Sequence, residues 1–221
     1  MHSAAPDYHP PQTPWLDILY QDEWLVALNK PAGLLSVPGK DPALYDSIAW
    51  RAKSLSPYAE VVHRLDMDTS GLMLIALRKQ SERALKQAFE QRQIKKTYLA
   101  RVWGQLPQPQ GQINLPLSAD WPNRPKQKVC FEQGKASVTE YVCLDQDEHT
   151  SWVRLYPLTG RSHQLRVHLL ALGCPILGDR FYAHEQALAA SDRLLLHAES
   201  LRLVHPVTGV PLSLMAPCPF A

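Results

Sequence analysis

Apolar residues recur along the chain in short runs, which predicts many strands and few helices. Residues 15–20 and 24–29 are β-prone runs separated by the polar Gln21-Asp22-Glu23, a pattern typical of a hairpin. Residues 194–204 and 210–215 predict a second hairpin near the C-terminus. Further strands are predicted at residues 61–66, 72–77, 97–103, 112–117, 129–132, 137–144 and 152–158.

Three segments have the apolar spacing of helices: residues 44–55, 80–91 and 163–172. The last of them is followed by Gly173, a residue type that commonly ends helices. Because strands outnumber helices and often follow one another directly, we expect an α+β fold. Its centre is predicted to be a mixed, mostly antiparallel sheet with flanking helices.

The predicted organisation is one folded domain preceded by a short tail. Residues 1–14 are rich in proline and lack an apolar core, so we expect a flexible tail there and a single domain over residues 15–221. The Pro-rich residues 105–111 are the best candidate for a hinge between two lobes that enclose a cleft.

Composition excludes several classes of protein. Hydrophobic residues make up 45% of the 221 positions, which is incompatible with a wholly disordered chain. The longest apolar run, residues 72–77, is far shorter than the roughly 20 residues of a membrane-spanning helix. The N-terminus resembles neither a signal nor a transit peptide, so we expect a soluble, cytoplasmic protein. Four scattered cysteines predict neither a disulfide scaffold nor a zinc site.

Charge is distributed unevenly, although the net charge is only +2. Between Arg78 and Lys128, eleven basic residues stand against three acidic ones, so this stretch carries +8 and the remainder −6. Such asymmetry is typical of a surface that binds a polyanion. A solvated helix face with basic strand edges explains it equally well, and charge alone leaves both interpretations open.

The densest candidate chemistry lies between His63 and Gly71. Arg64 and Asp66 are two residues apart, which would place both on one face of a strand just before a turn. Strand ends and turns present side chains rather than bury them. An ordinary surface ion pair is the alternative interpretation of these two residues.

Two further clusters carry polar side chains that suit an anion or a base. Residues 159–168 combine two arginines, two histidines and a glutamine around a predicted helix start, a set suited to holding a carboxylate or a phosphate. Lys95-Lys96-Thr97-Tyr98 places an aromatic ring beside lysines, which suits base stacking next to a phosphate backbone. Plain strand packing of Tyr98 is the alternative. The spacing of the histidines, including His63 and His197, fits no pair of metal ligands.

Taken together, these segments resemble the RluA-type pseudouridine synthases. The similarity covers residues from about Trp15 to Pro217, and its motifs occur in the order of that family. They are His63-Arg64-Leu65-Asp66 with Thr69-Ser70-Gly71, Asn29-Lys30-Pro31-Ala32-Gly33-Leu34, Lys96-Thr97-Tyr98, residues 160–168, Leu177-Gly178-Asp179 and Leu196-His197-Ala198.

The resemblance implies an isomerase that detaches uracil from ribose at N1 and rejoins it through C5. It implies that Asp66 is the nucleophile, that Arg166 pairs with Asp66, and that Tyr98 stacks on the target base near C5. Arg64 would help to hold a uridine that has left its stack. The predicted RNA-binding residues are His63, Arg64, Lys95, Lys96, Arg124, Lys126, Lys128, Arg161 and His163.

The resemblance also implies the partner and the absence of a cofactor. Residues 120–130 and the chain length are most similar to family members that modify both 23S ribosomal RNA and the anticodon stem-loop of transfer RNA. No cofactor and no metal are implied, because the isomerisation is neither a redox reaction nor a hydrolysis. We expect a monomeric catalytic domain over residues 15–221, without the S4-like domain of larger relatives.

Asp68 departs from the family pattern and supports two rival interpretations. A metal-dependent nuclease could use Asp66 and Asp68 with help from His63 or His168. A non-catalytic RNA-binding module would use neither carboxylate. We expect Asp68 to point away across the turn.

Overall fold

The computed structural model describes residues 8–221, which divide into two compact units. The first unit comprises the chain up to Ile94 together with Ser200–Pro217, and the second comprises Lys95–Glu199 and Cys218–Ala221. The predicted hinge at residues 105–111 was wrong, because that segment lies inside the second unit. Leu106 is buried in this unit's core, and the carbonyl of Pro109 accepts a hydrogen bond from the Cys143 amide.

Within the described residues up to Ile94, the first unit contains four strands and two α-helices. They are β1 (Ile18–Gln21), β2 (Leu25–Lys30), α1 (Ile48–Arg51), β3 (Glu60–Val61), β4 (Ser70–Ala76) and α2 (Lys79–Glu90). Strand β1 pairs antiparallel with β2, β2 pairs with β4, and the short β3 also pairs with β4. The predicted N-terminal hairpin, formed by β1 and β2, is therefore confirmed.

Strand β4 forms the centre of this unit's core. All seven of its residues are buried, which explains why its sequence reads as a continuous apolar run rather than an alternating one. Leu72 and Leu74 pack with Leu25 of β2 and with Leu85 on the apolar face of α2. The helix predicted over residues 80–91 is confirmed within one residue at each end.

Two predicted elements of the first unit are wrong. The helix expected over residues 44–55 contracts to one turn, α1, flanked by 3-10 turns at Pro42–Leu44 and Ala52–Ser54. The strand expected over residues 61–66 stops at Val61. Beyond it, the backbone N–H and C=O of Leu65 both bond the side-chain hydroxyl of Ser36 and leave the sheet.

The elements of the second unit are β5 (Lys95–Trp103), β6 (Gln110–Asn114), β7 (Leu117–Ala119), β8 (Gln127–Val129), β9 (Val138–Gln146), β10 (Thr150–Pro157), α3 (Gln164–Ala171), α4 (Glu185–Ala189) and β11 (Leu196–Val204). Four of its strands pair antiparallel as a sheet in the order β5-β10-β9-β6, and β7 and β8 form a separate hairpin. The segment expected to be one strand over residues 112–117 is divided between β6 and β7.

Helix α3 packs its buried side chains on this sheet. Leu165 and Leu169 lie against Ala100 of β5 and against Val153 and Leu155 of β10. The helix predicted over residues 163–172 is thus confirmed. The short α4 was not predicted.

Strand β11 belongs to both units, since the boundary falls between Glu199 and Ser200. Its residues 200–204 pair with β12 (Pro211–Met215), which confirms the predicted closing hairpin. The ladders described here are antiparallel, and the predicted α+β fold with a mostly antiparallel sheet is confirmed. Among residues 8–221, no helix is long and apolar enough to cross a membrane.

The basic face of α2 is organised around one acidic residue. Glu82 is buried, and its carboxylate accepts hydrogen bonds from Lys79 (2.8 Å), Lys86 (2.6 Å) and the Tyr58 hydroxyl. The two ammonium groups and the phenol lower the pKa of Glu82 to about 2. Because the unfolded carboxyl titrates near 4.3, its interactions stabilise the fold above that pH and are lost as pH falls towards 2.

We therefore expect acid to destabilise the wild type more steeply than Glu82→Gln between about pH 5 and pH 2. The glutamine cannot take up a proton in this range, so its contribution is independent of pH. Urea unfolding at several pH values measures both proteins. Parallel pH profiles would show that Glu82 contributes nothing to the acid sensitivity.

Candidate active site

Asp66 lies in an irregular turn, residues 62–69, which joins β3 to β4. The turn is held by a buried lysine, Lys30, which precedes Asp66 by 36 positions. Lys30 has no exposed surface, and its ammonium donates to the carbonyls of Pro31 (2.9 Å), Leu34 (2.7 Å) and Met67 (2.8 Å). Because an ammonium group is costly to bury without hydrogen bonds, these contacts tie the residue after Asp66 to the 30–34 segment.

The other side of Asp66 is held by Ser36. The Ser36 hydroxyl donates to the carbonyl of Leu65 at 2.7 Å and accepts from its amide at 3.1 Å. Gly33, whose φ is +82°, donates its amide to the Met67 carbonyl at 2.9 Å. Both neighbours of Asp66 are thus fixed through their backbone, while the aspartate side chain is half-buried.

The remaining predicted residues of this turn fall into different surroundings. Arg64 is exposed, and since the strand ends at Val61 it does not share a strand face with Asp66 as expected. His63 accepts a hydrogen bond at Nε2 from the Leu74 amide, and its ring stacks on Phe89 at 4.4 Å between centroids. These contacts give His63 a structural role. Asp68 is half-buried in the same turn.

Tyr98 and the two lysines before it occupy the start of β5. The ring of Tyr98 is half-buried and packs against the core of the second unit, opposite Leu155 of β10. The Lys96 ammonium donates to the Thr159 carbonyl at 3.3 Å, so it lies beside the loop that leads to α3. Lys95 is exposed. The structure therefore brings two of the predicted clusters together within the second unit.

Arg166 makes a buried bidentate ion pair that sequence reasoning missed. Its Nε and Nη2 donate to the two carboxylate oxygens of Asp179 at 2.8 and 2.6 Å, with side chains 2% and 0% exposed. Asp179 also accepts from the amides of Phe181 and Tyr182. The signal was present in the Leu177-Gly178-Asp179 motif, to which no role had been attached.

Aromatic rings cover this ion pair. The guanidinium carbon of Arg166 lies 5.1 Å from the ring centroid of Phe181 and 5.2 Å from that of Tyr182. His163 stacks on Phe181, and its Nδ1 lies 2.6 Å from the Tyr182 hydroxyl. That hydroxyl also accepts from the amide of Gln127 in β8 at 2.8 Å. Tyr182 therefore joins α3 to the β7–β8 hairpin.

The β7–β8 hairpin carries three predicted RNA-binding residues and an exposed tryptophan, and an exposed phenylalanine follows it. Arg124 stacks its guanidinium 4.4 Å from the ring centroid of Trp121, which is 70% exposed, and Phe131 is 77% exposed. Lys128 lies 3.4 Å from a carboxylate oxygen of Asp120. The aromatic rings were missed, although a tryptophan followed within seven residues by Arg124, Lys126 and Lys128 is a recognisable signal.

The other two residues of the 159–168 cluster differ in exposure. Arg161 is exposed, with its backbone amide bonded to the Gln164 side chain at 3.0 Å. His168 is fully buried between Thr139 and the Leu115 carbonyl, and burial lowers the pKa of its ring. It is a structural residue and not an accessible base. Among residues 8–221, no group of three or more His, Cys, Asp or Glu side chains is placed to hold a metal ion.

Local carboxylates neutralise part of the +8 stretch. Pairing with Glu82 occupies both Lys79 and Lys86, and exposed pairs join Arg78 to Glu23 and Arg101 to Asp147. The stretch is also divided between the units, since the boundary lies at Ile94. The charge of this stretch is therefore divided between the two units.

We expect Asp179→Asn to destabilise the protein by about 3 kcal/mol, because it removes the carboxylate that forms a bidentate ion pair with the buried Arg166 guanidinium. Chemical unfolding measures the loss. The matched control is Glu23→Gln, which removes the exposed partner of Arg78 and should cost less than about 1 kcal/mol. Equal losses in the two variants would contradict a special role for the buried pair.

Comparison with known proteins places this geometry in a family. Residues 24–171 match the family model described as RNA pseudouridylate synthase. The dual-specificity RNA pseudouridine synthase RluA of Escherichia coli K12 is 55% identical over 97% of this chain and 98% of its own length. The RluA proteins of Yersinia pestis (57%, over 88% and 95%) and Vibrio cholerae (52%, over 98% and 89%) are similarly related.

Solved structures agree with the sequence relatives. Human RNA pseudouridylate synthase domain containing 1 is 28% identical, with a TM-score of 0.79 over 96% of this chain and 87% of that chain. Human RNA pseudouridylate synthase domain containing 4 is 30% identical, with a TM-score of 0.74 over 92% and 88%. The chain belongs to the RluA family of RNA pseudouridine synthases, isomerases that act on RNA.

Proposed function

We propose that this enzyme isomerises uridine in two kinds of RNA, 23S ribosomal RNA and the anticodon stem-loop of transfer RNA. The support is the high identity, over nearly the full length of both chains, to enzymes named as having dual specificity. We propose that residues 15–221 act as one monomeric catalytic domain, located in the cytoplasm where both RNAs occur.

In this proposal Asp66 is the nucleophile. Its carboxylate attacks either C6 of the base or C1′ of the ribose, the N1–C1′ bond breaks, and the C5–C1′ bond forms. N1 keeps the electron pair of the broken bond and takes up a proton, the hydrogen at C5 leaves as a proton, and the bond to Asp66 breaks to restore the carboxylate. Atoms and electrons therefore balance without a redox partner. An aspartate suits this role because it is ionised at pH 7 and can form and release a covalent bond.

The observation that carries the proposal is the support of Asp66 from both sides. Its half-buried carboxylate stands between Leu65 and Met67, whose backbone groups are bonded to Ser36, Lys30 and Gly33. Positioning a nucleophile before the substrate binds lowers the entropic part of the activation barrier and so raises the reaction rate. An ordinary surface ion pair needs no such support, which favours the catalytic interpretation of Asp66.

The proposed roles of Tyr98 and Arg166 rest on their surroundings in the second unit. Tyr98 is a half-buried ring that can stack on the target base and take part in loss of the C5 proton. Asp179 holds the Arg166 guanidinium in a single orientation, as expected for a group that positions an anion. Its predicted pairing with Asp66 stays part of the proposal.

The RNA contacts are proposed at the exposed members of the predicted set. Arg124 and Trp121 combine a cation with an open aromatic face, a combination that binds unpaired bases beside phosphates. Lys95, Arg64 and Arg161 are exposed as phosphate contacts require. His63 is less suited, because its ring is engaged with Phe89 and the Leu74 amide.

The deciding experiment is release of tritium from RNA labelled at C5 of uridine, with EDTA present. We expect release by the wild type from both RNA substrates and none by Asp66→Asn, because formation of the C5–C1′ bond must expel that hydrogen. Tyr98→Phe should bind RNA normally and release tritium slowly. No cofactor is added.

Asp68→Asn is the matched control, since it removes a second carboxylate two residues away in the same turn. We expect it to retain release, because Asp68 is not part of the proposed machinery. Shortened RNA together with loss of activity in EDTA would favour the nuclease alternative. Release by Asp66→Asn would remove the nucleophile from this proposal.

We expect base stacking and phosphate contacts to make separate contributions to RNA affinity. We expect Trp121→Ala to weaken binding by about 5- to 150-fold, because stacking of a base contributes about 1–3 kcal/mol, with no change in the salt dependence. Lys95→Ala should reduce the slope of log affinity against log salt by about 1. Fluorescence anisotropy at several salt concentrations measures both effects.

Lys86→Ala is the control for the charge effect, because its ammonium is already paired with Glu82 at 2.6 Å. It should leave the salt slope unchanged. If Lys86→Ala and Lys95→Ala lower the slope equally, local pairing does not decide which lysines contact RNA. Unchanged affinity in Trp121→Ala would exclude a stacking role for this ring.

A further inference from the structure

Residues 8–15, here called the N-terminal arm, lie against the segment that supports Asp66. Residues 1–7 of the predicted flexible tail lie outside the described residues. The rest of that tail has no helix or strand, yet the Tyr8 hydroxyl donates to the Asp46 carbonyl at 2.8 Å. The oxygen of the Tyr8 hydroxyl also accepts a hydrogen bond from the amide of Leu35 at 2.9 Å. One phenol thus joins two segments that are distant in sequence.

A buried arginine anchors the arm. Arg51 of α1 is 1% exposed, and its guanidinium donates to the carbonyls of Pro11 (2.8 Å) and Trp15 (3.1 Å). Its charge is balanced by Asp46, whose two carboxylate oxygens lie 2.7 and 2.8 Å from Nε and Nη2. The ring of Trp15 lies 4.3 Å from the guanidinium carbon. The backbone of the arm is therefore bonded to a guanidinium that is itself held in one orientation by its ion pair with Asp46.

Hydrogen bonds continue from the arm to the proposed nucleophile. Tyr8 accepts a hydrogen bond from the amide of Leu35. The hydroxyl of the next residue, Ser36, bonds both the amide and the carbonyl of Leu65, a pair of contacts here called the Ser36 clamp. Leu65 is covalently joined to Asp66. Two hydrogen-bonded contacts and two peptide links therefore connect the phenol of Tyr8 to the backbone of Asp66.

We infer that the N-terminal arm is a strap that holds Asp66 in its reactive position, with Tyr8 as a positioning residue. The inference rests on the proposed role of Asp66 as nucleophile. Tyr8 is only half-buried, so water can replace its hydroxyl at the Leu35 amide and the fold survives its loss. The Ser36 clamp would then lose its rigid support. Small displacements of a reacting group reduce rate far more than binding.

The test compares Tyr8→Phe with Tyr45→Phe in the full chain. Tyr45 is an exposed ring packed edge-on to Trp50, so its variant removes a hydroxyl without touching the strap. We expect Tyr8→Phe to lower kcat for tritium release about 10-fold with unchanged RNA affinity, and Tyr45→Phe to behave as wild type. Amide hydrogen exchange should accelerate at Leu65 in Tyr8→Phe alone.

A double-mutant cycle separates positioning from general stability. Ser36→Ala removes the next link, and if both residues act through the same segment, the combined variant loses less activity than the product of the single losses. The melting temperatures of all variants are recorded in parallel. A lower melting temperature with unchanged kcat would reduce Tyr8 to a structural residue.

The outcomes distinguish the strap from the proposed function. Asp66→Asn can be inactive while Tyr8→Phe keeps either the wild-type kcat or the exchange protection of the Leu65 amide. In that case the inference about the N-terminal arm is wrong, and the role of Asp66 as nucleophile is unaffected. If Asp66→Asn still releases tritium, the proposed role of Asp66 as nucleophile is wrong, and the inference about the N-terminal arm, which rests on that role, is wrong as well.

Discussion

The buried ammonium group of Lys30 is the constraint around which the first unit is arranged. A charge with no exposed surface requires several hydrogen-bond acceptors, and here three carbonyls supply them. Two of these carbonyls belong to the segment that follows β2, and the third belongs to Met67. The turn bearing Asp66 must therefore lie against the end of β2. The backbone around Asp66 is irregular because the side chains of Lys30 and Ser36, rather than a neighbouring strand, bond its N–H and C=O groups.

Buried arginines have the same organising effect elsewhere. Arg51 orients the N-terminal arm, and Arg166 fixes the loop after Gly178 through Asp179. Gly178 has a φ of +70°, and a Cβ there would lie 2.0 Å from the Arg193 carbonyl oxygen, so only glycine allows this approach. Such pairs contribute more to a unique geometry than to net stability, because desolvation offsets most of their attraction. Each lies beside a segment with a proposed functional role.

On the exposed surface, nearby carboxylates decide how much of the positive charge is available to RNA. Basic side chains with a carboxylate nearby, such as Lys86, are neutralised locally, whereas exposed residues such as Lys95 keep their charge available to solvent. Net charge counted along the sequence therefore overstates the field that RNA would meet. Exposed aromatic rings add an attraction that does not depend on salt, and Trp121 combines the two by stacking beneath Arg124.

The sequence by itself determined those features that depend on neighbours along the chain. Helix α2, the two hairpins and the end of α3 at Gly173 follow from local periodicity and turn chemistry, and the motifs placed Asp66, Tyr98 and Arg166 in a family. Tertiary structure decided the rest. The strand expected to reach Asp66 stops at Val61 because the hydroxyl of Ser36, 29 positions before Leu65, takes over the Leu65 backbone. Asp179 joins Arg166 only where a loop folds back on α3. Hydrogen bonds between residues distant in sequence leave no periodic trace, so only the folded chain reveals them.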